Sequence, residues 1–153
     1  MRNGLCCVSI VDMSDTSWHT HLQYLVEYSR SQGVDVVFKR GCEDVYDTEN
    51  HSIEINKRRI PKNQVYVLLH EIGHHKISKD NELQKKFASL THIPRTLSKR
   101  ILTLEEEVIA WHIGEQVAQE HNIPLDSTYQ VLKSKCLKTY VDSIASKKKR
   151  TTP

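Results

Sequence analysis

What the chain lacks narrows it first. No apolar run approaches the ~20 residues that a bilayer-spanning helix needs. The N-terminus carries Arg2 but no sustained apolar stretch or cleavage signature, so no signal peptide is predicted. Cysteine is sparse: Cys6, Cys7, Cys42 and Cys136, with no C-x-x-C pair. That scatter argues against a disulfide framework and for idle thiols in a reducing, cytoplasmic setting. Charge of one sign is lacking too. The net charge of +3 is too slight to announce nucleic acid as a partner. What remains is 38% hydrophobic and 27% charged, the balance of a globular chain. A length of 153 residues favours one domain, able to bury roughly 70% of its unfolded surface. We assign residues 1–145 to that domain and read residues 146–153, with Lys147-Lys148-Lys149-Arg150, as a basic, disordered tail.

Apolar periodicity supplies the element order. Leu5 to Val11 is a candidate strand. From Ser14 the spacing of Trp18, Leu22, Leu25 and Val26 is helical, and Gly33 ends the run. Val34, Val36 and Phe38 alternate as one face of a strand. Val45-Tyr46 and Ser52 to Ile55 flank the turn-like Asp47-Thr48-Glu49-Asn50, which predicts a hairpin. Pro61 precedes a helix over 62–77. A short helix is expected from Asn81 to Leu90, a longer one from Leu104 to Glu120, and a last one from Ser127 to Ala145. The last helix has its apolar stripe along Tyr129, Leu132, Cys136, Leu137, Tyr140, Val141 and Ile144.

The chemistry is concentrated in His70-Glu71-Ile72-Gly73-His74, an H-E-x-x-H pattern. By composition alone such a match would arise roughly 0.04 times in a chain like this one. On a helix the two histidines stand one turn apart on the same face and can grip one ion. Glu71 is turned aside, placed to take a proton from water rather than to bind metal. Gly73 costs a helix about 1 kcal/mol relative to alanine, so a close backbone or ligand is expected against it.

A catalytic zinc takes three protein ligands and keeps one position open. Leu104-Glu105-Glu106-Glu107-Val108 offers three carboxylates. Leu104, Glu107, Val108, Trp111 and Ala118 share one helical face, which puts Glu107 in the apolar stripe. A carboxylate there is costly unless paired or metal-bound, so Glu107 is the predicted third ligand. Glu106 lies three after Thr103, the spacing of a capping box, and Glu105 suits the positive end of the helix dipole. Asp80 and Glu115 are the alternatives weighed for the third position, and His112 is read as facing solvent.

These residues resemble the zincin metallopeptidases of the gluzincin type, and in their order the compact ImmA/IrrE-like domains. H-E-I-G-H would be the first motif. Glu107, with the aromatic Trp111 four residues later, would be the second. Val108-Ile109 stands where the family often has Ala-Asn. The resemblance, over about residues 15–120, implies an α+β, minimal zincin-like fold: N-terminal helix, small twisted sheet with hairpin, metal-motif helix, Glu-bearing helix and C-terminal helix. It implies zinc held by His70, His74 and Glu107, with Glu71 as general base in peptide-bond hydrolysis. The substrate would be a polypeptide. His75, His112, Tyr66 and Arg100 are candidates for a second electrophile. The strand around Ile53 and Ile55 is a candidate edge for substrate, with ordinary sheet packing as the alternative. The segment Ser78 to Arg100 would lie near the site as a lid.

Two other functions compete: a catalytically silent, zincin-like partner-binding module, and a DNA-associated protein using its basic C-terminus. The histidines of Trp18-His19-Thr20-His21 are two apart and do not face each other on a helix, so a structural reading is preferred there.

Overall fold

A computed structural model describes residues 13–88, 90 and 96–146. The expected strand at Leu5–Val11 and the basic run at 147–150 lie outside the described residues. Within them the fold is α+β, with five helices and a three-stranded mixed sheet. α1 (Met13–Ser31) ends where Gly33 takes φ +78°, a backbone conformation that a side chain would oppose.

The sheet follows: β1 (Asp35–Lys39), β2 (Val45–Asp47) and β3 (Ser52–Asn56). β2 and β3 form the expected antiparallel hairpin, with Tyr46 opposite Ile53. Asp47 folds its turn by accepting from the Glu49 and Asn50 amides at 2.9 and 3.0 Å. β3 also pairs in parallel with β1, which makes the order β1-β3-β2. Of the two readings of this strand, ordinary sheet packing is the one that holds. The strand carrying Ile53 and Ile55 is central, both side chains are fully buried, and it offers no edge to a substrate.

α2 (Pro61–Lys79) is the spine of the domain. Pro61 occupies its first position, where a missing N–H costs nothing. Every residue from Gln64 to Gly73 is buried. A helix covered all round belongs in a core, and α1, α4 and the sheet pack around this one. Its end is a double-duty residue. The Asp80 carboxylate accepts from the Glu82 and Leu83 amides, both at 2.9 Å, and so starts α3 (Asn81–Ala88).

α4 (Leu97–Glu120) begins well before the expected Leu104. Its cap is Thr96, whose side chain accepts from the Lys99 amide. Thr103 lies inside the helix and donates to the Lys99 carbonyl at 2.9 Å. The inferred Thr103–Glu106 capping box therefore does not exist. The extra turns escaped periodicity because they bury little: Leu97 and Ile101 are exposed. The apolar face also differs in part from expectation. It runs through Ala110, Trp111, Gly114, Val117 and Ala118, whereas Val108 is exposed.

α5 (Ser127–Ala145) has the expected span, but it is an outer helix. Of its stripe, only Tyr129 is fully buried; Leu132, Cys136 and Leu137 lean on the core and Val141 is exposed. Its anchor is Asp126, the N-cap, which accepts from the Thr128 and Tyr129 amides and from the Tyr66 hydroxyl, and pairs with Lys62. Lys62 and Tyr66, against some opposing burial, hold its carboxyl down to about 2. Asp126→Ala removes the cap and strands both partners, so a loss of about 1–2 kcal/mol is expected in urea unfolding. No helix among the described residues is long and apolar enough to cross a membrane.

Candidate metal centre

The site is made where α2 crosses α4. Two glycines set how close the helices come. A Cβ at Gly73 would lie 2.1 Å from the carbonyl oxygen of Ala110, and one at Gly114 would lie 2.7 Å from that of Leu69. Each helix thus presents a bare backbone to the other. Gly73 meets the backbone that its unfavourable helical position suggested, and Gly114 is its counterpart.

One turn before Ala110 on α4, this approach brings Glu107 to the two histidines. The Nε2 atoms of His70 and His74 are 3.2 Å apart. Glu107 Oε2 is 3.2 Å from His70 Nε2, and Glu107 Oε1 is 3.6 Å from His74 Nε2. His70, His74 and Glu107 form the group of ligand-type side chains among the described residues close enough to hold one ion. Two donors each ~2.0–2.1 Å from a tetrahedral zinc lie roughly 3.3 Å apart. Glu107 meets the two rings through different oxygens, and one donor atom from each of the three residues lies within 4.8 Å of the others, so together they could hold a metal ion.

The electrostatics agree. Taken as side chains alone, burial opposes a charge on His74, but its interactions with Glu106 and Glu107 outweigh burial and push its pKa up to about 10. Burial likewise opposes the Glu107 charge, yet hydrogen bonding to His70 and His74 holds its carboxyl well below the usual range. Positive charge is favoured at this point, whether proton or metal.

Around the three lies a cavity of about 880 Å³, lined by His70, Glu71, His74, Glu106, Glu107 and Tyr140 among others. β2, through Val45 and Tyr46, forms one wall, and α3, through Gln84 and Phe87, another. Glu71 is 5% exposed and stands outside the ligand group. Burial pushes its carboxyl up, against the pull of His70 and His74.

The alternatives weighed for the third ligand are otherwise engaged. Asp80 caps α3. Glu115 pairs with Lys133 at 2.7 Å on the α5 side. Glu105 pairs with Lys86. His112 is exposed, as expected. Glu106 was assigned to a cap, but its Oε1 is 3.8 Å from His74 Nδ1, behind the ring. A carboxylate in that position orients a metal-binding imidazole. His19 and His21 join no ligand group among the described residues.

None of the four residues considered for a second electrophile lines the cavity. His75 Nδ1 is 3.0 Å from the Tyr46 hydroxyl. Tyr66 donates to Asp126 at 3.0 Å, Arg100 to the Ser143 carbonyl. Tyr140, which its apolar stripe assigned to the core, lines the cavity instead. It reaches the cavity from α5, with its phenol beside Glu107 and held well above its ordinary pKa, first by burial and then by the nearby carboxylate. Its place in an apolar stripe concealed it; no spacing rule links it to α2.

Comparison of the chain with known protein families, curated proteins and solved structures finds no match.

Proposed function

We propose that this protein is a zinc-dependent metallopeptidase with a minimal zincin-like fold, acting on polypeptides in a reducing, cytoplasmic setting. The observation that carries the proposal is the convergence of three ligand-type side chains from two helices, close enough to hold one ion, beside a buried carboxylate that is not one of them. A purely structural zinc closes with four protein ligands and has no use for such a base. Glu71 therefore favours an enzyme over a silent partner-binding module. The cytoplasmic setting rests on the sparse thiols, of which Cys42 and Cys136 are free.

His70, His74 and Glu107 would hold the metal. Bound zinc supplies a Lewis acid that polarises a peptide carbonyl and acidifies water. Glu71, with its carboxyl raised by burial, accepts the proton from the attacking water and delivers it to the departing amide nitrogen. The Tyr140 hydroxyl, facing the same cavity, donates toward the carbonyl oxygen as it gains charge. The β2 wall, an outer strand of the sheet, offers its backbone to an extended substrate.

The test is zinc-loaded protein incubated with a diverse peptide mixture and read by mass spectrometry. Defined new termini should appear, disappear with a chelator and return with zinc. Intact peptides throughout, with zinc bound at one equivalent, would overturn the proposal.

Zinc must displace the proton that His74 retains up to about pH 10. Binding should therefore release about one proton at neutral pH, and affinity should rise roughly tenfold per pH unit below that value. Calorimetry in buffers of different ionisation enthalpy measures the release directly.

A further inference from the structure

The two histidines are held in place by different means. Behind His74 stands a carboxylate, Glu106, 3.8 Å from Nδ1. Behind His70 there is none among the described residues: its Nδ1 is buried and has no hydrogen-bond partner there. That hydrogen bond normally stops an imidazole from rotating about its Cβ–Cγ bond and swinging its donor nitrogen off the metal. Something else must restrain this ring.

The indole of Trp111 lies flat on it. The ring centroids are 4.2 Å apart and the planes 19° from parallel, closer than the ~4.5–7 Å usual for aromatic pairs. The indole cannot yield. Trp111 is 1% exposed, and Tyr129 packs edge-on against it at 5.5 Å. The Tyr129 hydroxyl donates to the Trp111 carbonyl, tying the residue to α5. Trp111 follows Glu107 by one helical turn, so a single turn of α4 meets His70 twice: Glu107 at Nε2 and Trp111 across the ring face.

We infer that Trp111 is the positioning residue of the metal centre, fixing the His70 imidazole by stacking in place of the absent hydrogen bond. This rests on the zinc reading above. It goes beyond that reading because it assigns to a core side chain a role in metal affinity that packing alone would not require. A planar replacement preserves the role, whereas an apolar one of different shape does not.

The experiment compares zinc dissociation constants of the wild type, Trp111→Phe and Trp111→Leu by competition with a chromophoric chelator, with folding checked by circular dichroism. Trp111→Phe should stay within about threefold of wild type, and Trp111→Leu should bind about 10–100-fold more weakly. Both should lose thermal stability, since both shrink a core residue, so stability cannot mimic this pattern. Equal affinities for wild type and a folded Trp111→Leu would overturn the inference.

Should Trp111→Leu fail to fold, the Trp18→Phe chain decides. It retains Trp111 as its one indole, stacked on the His70 ring that would bind the zinc. Its emission should shift and saturate at one equivalent of zinc; emission unchanged at saturation would overturn the inference. Failure of the zinc reading itself looks different: the wild type would then not compete for zinc at all.

Discussion

Glu71→Gln is expected to keep zinc at full stoichiometry while peptide hydrolysis falls roughly 10²–10⁴-fold, the usual contribution of a general base. The amide has nearly the shape of the carboxylate, so the buried site it fills is not reopened. It cannot accept a proton. The ligand group does not include Glu71, so the three donors on α2 and α4 are untouched. Burial raises its carboxyl toward the basicity useful near neutral pH. Metal analysis and single-turnover cleavage on the same preparation check both halves. A variant as fast as wild type would remove Glu71 from the mechanism. A variant stripped of zinc would make it a ligand instead.

Gly73→Ala should damage both the fold and the metal site. On propensity alone the substitution would stabilise α2 by about 1 kcal/mol. The contact decides otherwise. A methyl 2.1 Å from the Ala110 oxygen is blocked by backbone, which has no rotamer to change, so α4 must move away. Overpacking of this kind costs about 1–3 kcal/mol, occasionally more. At the upper end of that range, which so short a contact with backbone calls for, the net loss after the propensity gain is about 2 kcal/mol, or roughly 4–8 °C in melting temperature. Because Glu107 lies one turn from Ala110, the same shift draws it away from His70 and His74, and zinc affinity should fall with it. Gly114→Ala is the graded control. Its methyl would meet the Leu69 oxygen at 2.7 Å, so the same losses should appear in weaker form. A Gly73→Ala protein that melts higher than wild type would show that the helices can part at no cost.

Much of the centre was legible in advance because it obeys helical arithmetic. His70 and His74 share a face of any helix that contains them. Glu107 was separable from Glu105 and Glu106 by its phase on α4, even though the start of that helix was misplaced and Val108 was put on the wrong side. Phase survives such an error because it depends on local backbone hydrogen bonds. The hairpin and the span of α5 were legible for a similar reason: turn residues and caps act over three or four positions.

Other residues were hidden because their roles come from elements far away in the chain. Glu106 looked like a cap until Thr96 proved to be the true one, which left its carboxylate beside His74. Tyr140 looked like core until α5 placed it at the cavity. Ile53 and Ile55 looked available as an edge until β1 paired with β3 on the other side. Nothing in a hydrophobic pattern distinguishes a central strand from a neighbour buried on one face.

Local periodicity sufficed to single out His70, His74 and Glu107 as side chains to be grouped, with Glu71 beside them, since the spacing of side chains along one helix follows from the geometry of its own turns. Bringing those groups to one point required the α2–α4 crossing. That distance is set by backbone atoms meeting across two glycines forty-one residues apart, Gly73 and Gly114, and contact between segments so distant depends on how the whole core closes around α2.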